Sequence, residues 1–369
     1  MGHPTGLAVV ITGASSGVGR ATAHAFAAAR RQSRAGGTRP RAPLEDTAYE
    51  CAGLGGRAIV VPTDVADPDG VRRLAEVAAD RFGRIDVWVN NAGVGTVGRF
   101  HQVPIEARRR VIETNLLGYM YGAHAVLPHL IQRRRGVVIN NVSIGGFIPT
   151  PYAAAYVASK FGVRAFSNSL RQELRAWPDI HVCAVYPFFM DTPGVQHGAN
   201  YTGRALQPAP PVYAPERTAE AIVNLVARPR REVMVGAVTR LARLEYQLAP
   251  SVVEWGLARF IEAYLRRAEP SPVTAGNLYE PMPEQARLYG GWRWSLPRGS
   301  TRAALALGLI GAVTAGAMLA ARPAHGHQSR TWVRGRSDGR DRRPRPAASP
   351  RLGRTPELTP GVPVPPGVA

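Results

Sequence analysis

The sequence predicts an α/β fold: a doubly wound parallel sheet over residues 1–230, followed by a helical C-terminal extension. Three observations carry this. Short apolar runs alternate with amphipathic, helix-like stretches. The runs are almost continuously apolar, as expected of strands covered on both faces. A glycine-rich turn, TGASSGVG, directly follows the first run.

The runs are LAVVI (7–11), RAIVV (57–61), IDVWV (85–89), GVVINNVS (136–143) and HVCAVYP (181–187). Between them, GVRRLAEVAADRF (70–82) and PIEARRRVIETNLLGYMYGAHAVLPHLIQRR (104–134) read as helices. Strands alternating with helices of this length imply βαβ units. The stretch EYQLAPSVVEWGLARFIEAYLRRAE (245–269) also reads as helical and belongs to an extension over 231–300.

One strand is missing. In a dinucleotide-binding sheet the second strand follows the first helix and its end contacts the adenosine ribose. Here that place, Arg30–Arg41, reads RRQSRAGGTRPR, with no apolar run. Its Arg, Gly, Ser, Thr and Pro content reads as a solvated loop. The same residues can be encoded so that reading one nucleotide later gives Ala-Gly-Lys-Val-Val-Leu-Ala-Ala-Arg-Ala-Arg, a strand pattern. A pair of compensating frame errors, in the gene or in its sequencing, is therefore the expectation.

Composition bounds the function. Of 369 residues, 45% are hydrophobic, enough for a sizeable core. The net charge is +20, yet 45 of the 46 basic residues are Arg and one, Lys160, is Lys. Arg at nearly every cationic position reads as coding bias, and no nucleic-acid module accompanies the charge, so no specific nucleic-acid partner is expected. Two cysteines, Cys51 and Cys183, cannot build a disulfide framework or a Cys-rich metal site, and no metal is expected. No secretory signal pattern opens the sequence, so the catalytic part is expected in the cytoplasm.

The chemistry lies in a few short patterns. A glycine-rich turn between strand and helix lets the backbone approach a pyrophosphate, and the helix start offers free N–H groups and a favourable dipole. Gly13, Gly17 and Gly19 have the spacing TGxxxGxG. Asp64-Val65 follow the second apolar run, and Asn91, Ala92 and Gly93 (within NNAG) follow the third. Tyr156 and Lys160, in YVASK, share one helix face. A neighbouring ammonium favours phenolate, so Lys160 is expected to lower the Tyr156 value and tune it as a general acid or base. An ammonium that modulates a neighbour cannot be replaced by guanidinium, which explains the single Lys in an Arg-rich chain.

Together with Asn115 in ETNLLG and Ser143 at a strand end, these motifs resemble the short-chain dehydrogenase/reductase family, in its TGxxxGxG subgroup, over about residues 5–230. The resemblance implies a Rossmann-type fold and an NAD(P)-dependent oxidoreductase, moving hydride between nicotinamide and a carbonyl or alcohol. It implies the catalytic residues Asn115, Ser143, Tyr156 and Lys160. Ser143 would orient the substrate oxygen, and Asn115 would hold a water in a proton relay to Lys160. It implies a cofactor site of Gly13, Ser15, Ser16, Gly17, Val18, Gly19, Asp64, Val65, Asn91, Ala92, Gly93, Tyr156, Lys160, Pro187 and Thr192. Phe188 to Pro211 would form a substrate lid, with Tyr152, Phe188, Phe189 and Met190 giving an apolar pocket for a lipophilic substrate. NADP is expected ahead of NAD, because the shifted frame ends its strand in Arg. Homo-oligomers are common in the family.

Beyond the extension, AALALGLIGAVTAGAMLAA (303–321) runs 19 residues without a charge, long enough to span a bilayer. Gly308, Ala312 and Gly316 give it the small-residue spacing of packed membrane helices. A membrane anchor is expected there; a buried helix or an Ala/Gly-rich linker is the alternative. The Arg- and Pro-rich tail 322–369 is expected to be disordered. The rival functional reading is a non-catalytic, membrane-tethered binding protein related to this family.

Overall fold

A computed structural model of the chain describes residues 6–29, 43–282 and 286–295. All belong to one compact unit within 1–322. The strands are β1 (Val9–Ile11), β2 (Val87–Asn90), β3 (Thr96–Val97), β4 (Gly136–Asn141), β5 (Ile180–Pro187), β6 (Ala199–Asn200) and β7 (Glu232–Val235). The helices are α1 (Gly17–Ala28), α2 (Pro43–Gly53), α3 (Pro68–Phe82), α4 (Ile105–Ile112), α5 (Gly118–Arg133), α6 (Ala154–Glu173), α7 (Gly194–His197), α8 (Pro215–Ala227), α9 (Ala237–Leu248), α10 (Pro250–Arg267) and α11 (Trp292–Ser295).

Among the described residues, five parallel strands form the main sheet in the order β1-β2-β4-β5-β7, and β3 pairs with β6. The strands are apolar on both faces because both are covered. Trp88, Val138 and Val182 point to one side, against Val71 and Ala75 of α3 and Val126 and Leu130 of α5. Their neighbours Val87, Val89, Ile139 and Val185 point to the other, against Phe26 of α1 and Ile222 and Leu225 of α8. This alternation is the strand period of two. Each large side chain fully buried here contributes roughly 1.5–3 kcal/mol.

Four of the five apolar runs lie in strands, and the fifth does not. Residues 57–61 form no strand, and Ile59 is 39% exposed. A parallel strand is held by ladder hydrogen bonds to a neighbour. In a dinucleotide-binding sheet the neighbour between this run and β1 comes from the segment after the first helix. That segment, Arg30–Arg41, lies outside the described residues, and among those described nothing pairs beyond β1.

The sheet also runs past residue 230: β7 completes the ladder on β5, with Tyr186 opposite Met234. The helix read over 245–269 is two helices. Ala249 has φ −143° and Pro250 occupies the first turn of α10, a position proline suits and a helix interior does not. No helix among the described residues is long and apolar enough to cross a membrane. The expected membrane segment 303–321 and the tail 322–369 lie outside the described residues.

Candidate active site

The turn between β1 and α1 can be built only from glycine at two points. Gly13 has φ +65°, and a Cβ there would sit 2.8 Å from the Ala92 Cα. A Cβ on Gly19 would sit 2.0 Å from the Gly13 carbonyl oxygen. The end of β2 staples the turn. Asn91 Nδ2 donates to the carbonyls of Thr12 (3.0 Å) and Gly13 (3.2 Å), and Thr12 Oγ1 accepts from the Asn91 and Ala92 amides. α1 starts at Gly17, so the Val18 and Gly19 amides have no carbonyl within the helix and lie at its positive end. The Gly17 amide is taken: it donates to the carbonyl of Arg287 at 3.0 Å. Backbone that approaches this closely, with free amides beyond it, fits a dinucleotide pyrophosphate.

Ser143, Tyr156 and Lys160 converge beside this turn, in a cleft of about 1730 Å³ that also contains Gly13, Ser15, Ser16, Gly17 and Val18. Ser143 follows β4 with φ +135°, a strained value for a side-chain-bearing residue and one that tends to mark functional positions. Its Oγ accepts from the Gly145 amide at 3.1 Å and shares a hydrogen bond with Tyr156. Lys160 lies 5.7 Å from the centre of the Tyr156 ring. Burial pushes Tyr156 above its ordinary value, and the Ser143 bond works against that rise. The same burial pushes Lys160 down, to about 7. The protein alone thus desolvates both groups, and the lowering of Tyr156 anticipated from the Tyr–Lys spacing does not dominate.

Asn115 is buried in a π-helical segment, Glu113–Leu117, between α4 and α5. Its amide clasps Val94 twice: Oδ1 accepts from the Val94 amide and Nδ2 donates to the Val94 carbonyl, both at 2.8 Å. A Cβ on Gly93 would be 3.3 Å from Asn115 Oδ1 and 3.8 Å from Lys160 Nζ, so glycine keeps open the space between them.

One residue that sequence reasoning missed sits under Lys160. Tyr119 is 1% exposed, and its ring centre lies 5.0 Å from Lys160 Nζ. The Tyr119 hydroxyl donates to the Asn141 carbonyl at 2.9 Å, and Lys160 Nζ donates to that carbonyl at 3.2 Å and to the Tyr119 oxygen at 3.5 Å. Asn141 Nδ2 in turn donates to Asn91 Oδ1 at 2.9 Å, so one polar chain joins the lysine to the glycine turn. The available signal was spacing: Tyr119 stands four residues after Asn115, on the same helical face.

The remaining expected cofactor residues, except Gly19, which does not line it, lie along the same cleft. Asp64, Val65, Asn91, Ala92, Gly93, Pro187 and Thr192 all line it. Asp64 is paired with Arg110 at 2.7 Å, and Val65 packs under Gly118. The Thr192 side chain lies where a Cβ on Gly17 would reach, 3.0 Å away. Phe188, Phe189 and Met190 line the cleft with Leu241, Phe260 and Leu265. Tyr152 does not: with φ +67° its ring lies under Arg99, 5.5 Å away, and the cation holds it on that side. Among the described residues no group of His, Cys, Asp or Glu could hold a metal ion.

Comparison with known proteins bears on this arrangement. The family model for short chain dehydrogenases matches residues 7–200. An uncharacterized oxidoreductase of Bacillus subtilis, YxnA, is 34% identical over 251 residues, 67% of this chain and 70% of that one. The 11-beta-hydroxysteroid dehydrogenase 1A of Arabidopsis thaliana is 33% identical over 272 residues, 68% of this chain and 74% of its own. The 3beta-hydroxysteroid dehydrogenase 1 of Eggerthella lenta is 36% identical over 228 residues, 60% and 87% of the two chains.

Proposed function

Because the chain belongs to the short chain dehydrogenase family, and is thereby an NAD(P)-dependent dehydrogenase, we propose that it interconverts a lipophilic alcohol and its carbonyl compound, with Tyr156 as the general acid and base. The observation that carries this reading is the meeting of Ser143, Tyr156 and Lys160 beside the Gly13–Gly19 turn in one cleft. When bound, the nicotinamide dinucleotide supplies or takes the hydride. The free amides of Val18 and Gly19, with Ser15, Ser16 and Gly13, would hold its pyrophosphate. Asp64 and Val65 would border its adenine, and Asn91, Ala92, Gly93, Pro187 and Thr192 its nicotinamide half.

The protein's own groups do the rest. Ser143 Oγ orients the substrate oxygen toward Tyr156, whose hydroxyl gives up or accepts the proton. Lys160, held by the Asn141 carbonyl and Tyr119, supplies the charge that favours phenolate. Asn115 keeps the wall of this space in place by its two bonds to Val94. A lipophilic substrate is supported by the Phe188–Met190 lining and by relatives whose names refer to hydroxysteroids. NADP ahead of NAD rests on the shifted reading frame of codons 30–41, whose strand would end in an Arg able to pair with a ribose phosphate. A membrane anchor through 303–321 rests on the sequence alone, and a homo-oligomer on the habit of the family.

The test is a fluorescence titration of the purified chain with NADPH and NADH, followed by a panel of hydroxysteroids, terpenoid alcohols and short alcohols. Tight NADPH binding and turnover of the large apolar alcohols are expected. Turnover confined to short polar alcohols would contradict the lipophilic reading. The non-catalytic reading draws on the unpaired run 57–61, and dinucleotide binding without turnover on any alcohol would support it.

A further inference from the structure

The segment after α10 returns to the cleft, beyond the residues that the family model matches. Thr274 and Asn200 exchange backbone hydrogen bonds of 2.9 and 3.0 Å, and the Asn277 amide donates to the His197 carbonyl at 2.8 Å. Leu278 is 1% exposed, and its carbonyl accepts from Arg110 Nε at 2.8 Å. Farther along, Ala286–Trp292 bridges the two walls of the dinucleotide site. On one wall, the Ala286 carbonyl accepts from Arg20 and the Arg287 carbonyl caps the Gly17 amide. On the other, Gly290 donates to the Asp191 carbonyl at 3.3 Å, and its own carbonyl accepts from Gln196 at 2.9 Å. The Trp292 amide donates to Asp191 Oδ1 at 2.8 Å and its indole N–H to the Thr192 carbonyl at 3.1 Å.

Two features show that this contact is built. A Cβ on Gly290 would lie 2.4 Å from the Thr192 carbonyl oxygen, so the segment approaches as closely as backbone allows. Asp191 is fully buried, and among the described residues its Oδ2 has no hydrogen-bond partner. A buried carboxylate is costly, and the Trp292 amide partly offsets that cost.

We propose that Ala286–Trp292 is a structural wall of the dinucleotide site, with Trp292 the positioning residue that holds Thr192 against Gly17. This rests on the reading above that Thr192 and the glycine turn hold the dinucleotide. The segment sets dinucleotide affinity and leaves proton transfer at Tyr156 to the residues already described. It also means that a chain cut near residue 230 would lack part of its cofactor site.

The experiment is a fluorescence titration with NADPH, without substrate, of the full chain and of its Trp292→Phe, Trp292→Ala and Thr192→Ala variants. Thermal midpoints are recorded alongside. Trp292→Ala is expected to raise the Kd tenfold or more, while kcat at saturating dinucleotide stays within about threefold. Trp292→Phe keeps the ring volume and loses only the indole N–H, so a Kd rise of a few-fold is expected with the fold intact. In a variant that combines Trp292→Ala with Thr192→Ala the two losses should not add, because Trp292 acts through Thr192. A lowered thermal midpoint with an unchanged Kd, or fully additive losses, would overturn the proposal. Failure of the folded wild type to bind either dinucleotide would overturn the functional reading and this proposal with it.

Discussion

Replacing Lys160 with methionine exchanges a buried ammonium for an apolar chain of similar reach. Lys160 is 4% exposed, and among the described residues its ammonium donates to the Asn141 carbonyl and the Tyr119 hydroxyl. Burial lowers it from 10.5 in a free chain to about 7. A base depressed in this way binds fewer protons folded than unfolded. Stability therefore rises with pH from about 7 to about 10.5 and is lowest below about 7. At 1.36 kcal/mol per unit, the charged lysine costs the fold on the order of 5 kcal/mol at pH 6. Lys160→Met removes that cost and should raise the thermal midpoint by on the order of 5–10 °C at pH 6, with the gain fading toward pH 10. Thermal unfolding of both proteins from pH 6 to pH 10 measures this, and activity is assayed in parallel. The variant should be more stable and inactive, as expected of a residue kept for function. Parallel stability curves across this range would refute the reasoning, as would a variant less stable than the wild type at pH 6.

Three further outcomes are expected. Tyr119→Phe keeps the ring and removes the hydroxyl that accepts from Lys160, so the lysine should lose its charge earlier and the alkaline limb of the turnover profile should move to lower pH by about half a unit to one unit; an unmoved alkaline limb would deny Tyr119 any hold on the lysine. Gly19→Ala forces a methyl group against the Gly13 carbonyl and should cost about 1–3 kcal/mol of stability and most dinucleotide affinity; undiminished binding in a titration would show that the turn is not the phosphate cradle. Sequencing the gene across codons 30–41 should find bases that read Val-Val-Leu one nucleotide later; bases incompatible with that reading would end the frame-shift explanation.

Much of the fold was legible because a covered parallel strand leaves a plain trace. LAVVI, IDVWV, GVVINNVS and HVCAVYP are apolar on both faces, and all lie in strands of the sheet. RAIVV has the same composition and forms none, because composition records burial potential while a strand also needs a neighbour. The break at Ala249–Pro250 was readable from the proline; the apolar periodicity on either side masked it. At the site, local spacing placed Tyr156 and Lys160 on one face of α6 and the glycines in one turn. Of the residues brought in from a distance, Tyr119 left only its four-residue spacing from Asn115, and Trp292 left no local pattern. Tyr119 touches Lys160 from across the sheet end, and Trp292 touches Thr192 from 100 positions away. The electrostatic balance was not legible either, since desolvation of Tyr156 depends on everything packed around it.

The role proposed for Tyr156 is transfer of the proton in a dinucleotide-linked oxidation or reduction. Its most direct test is Tyr156→Phe, assayed for NADPH affinity and for turnover on the best substrate of the alcohol and carbonyl panel. Dinucleotide affinity is expected to stay within about threefold of wild type and kcat to fall at least a hundredfold, the scale of general acid–base catalysis. Turnover retained at the wild-type rate would contradict it.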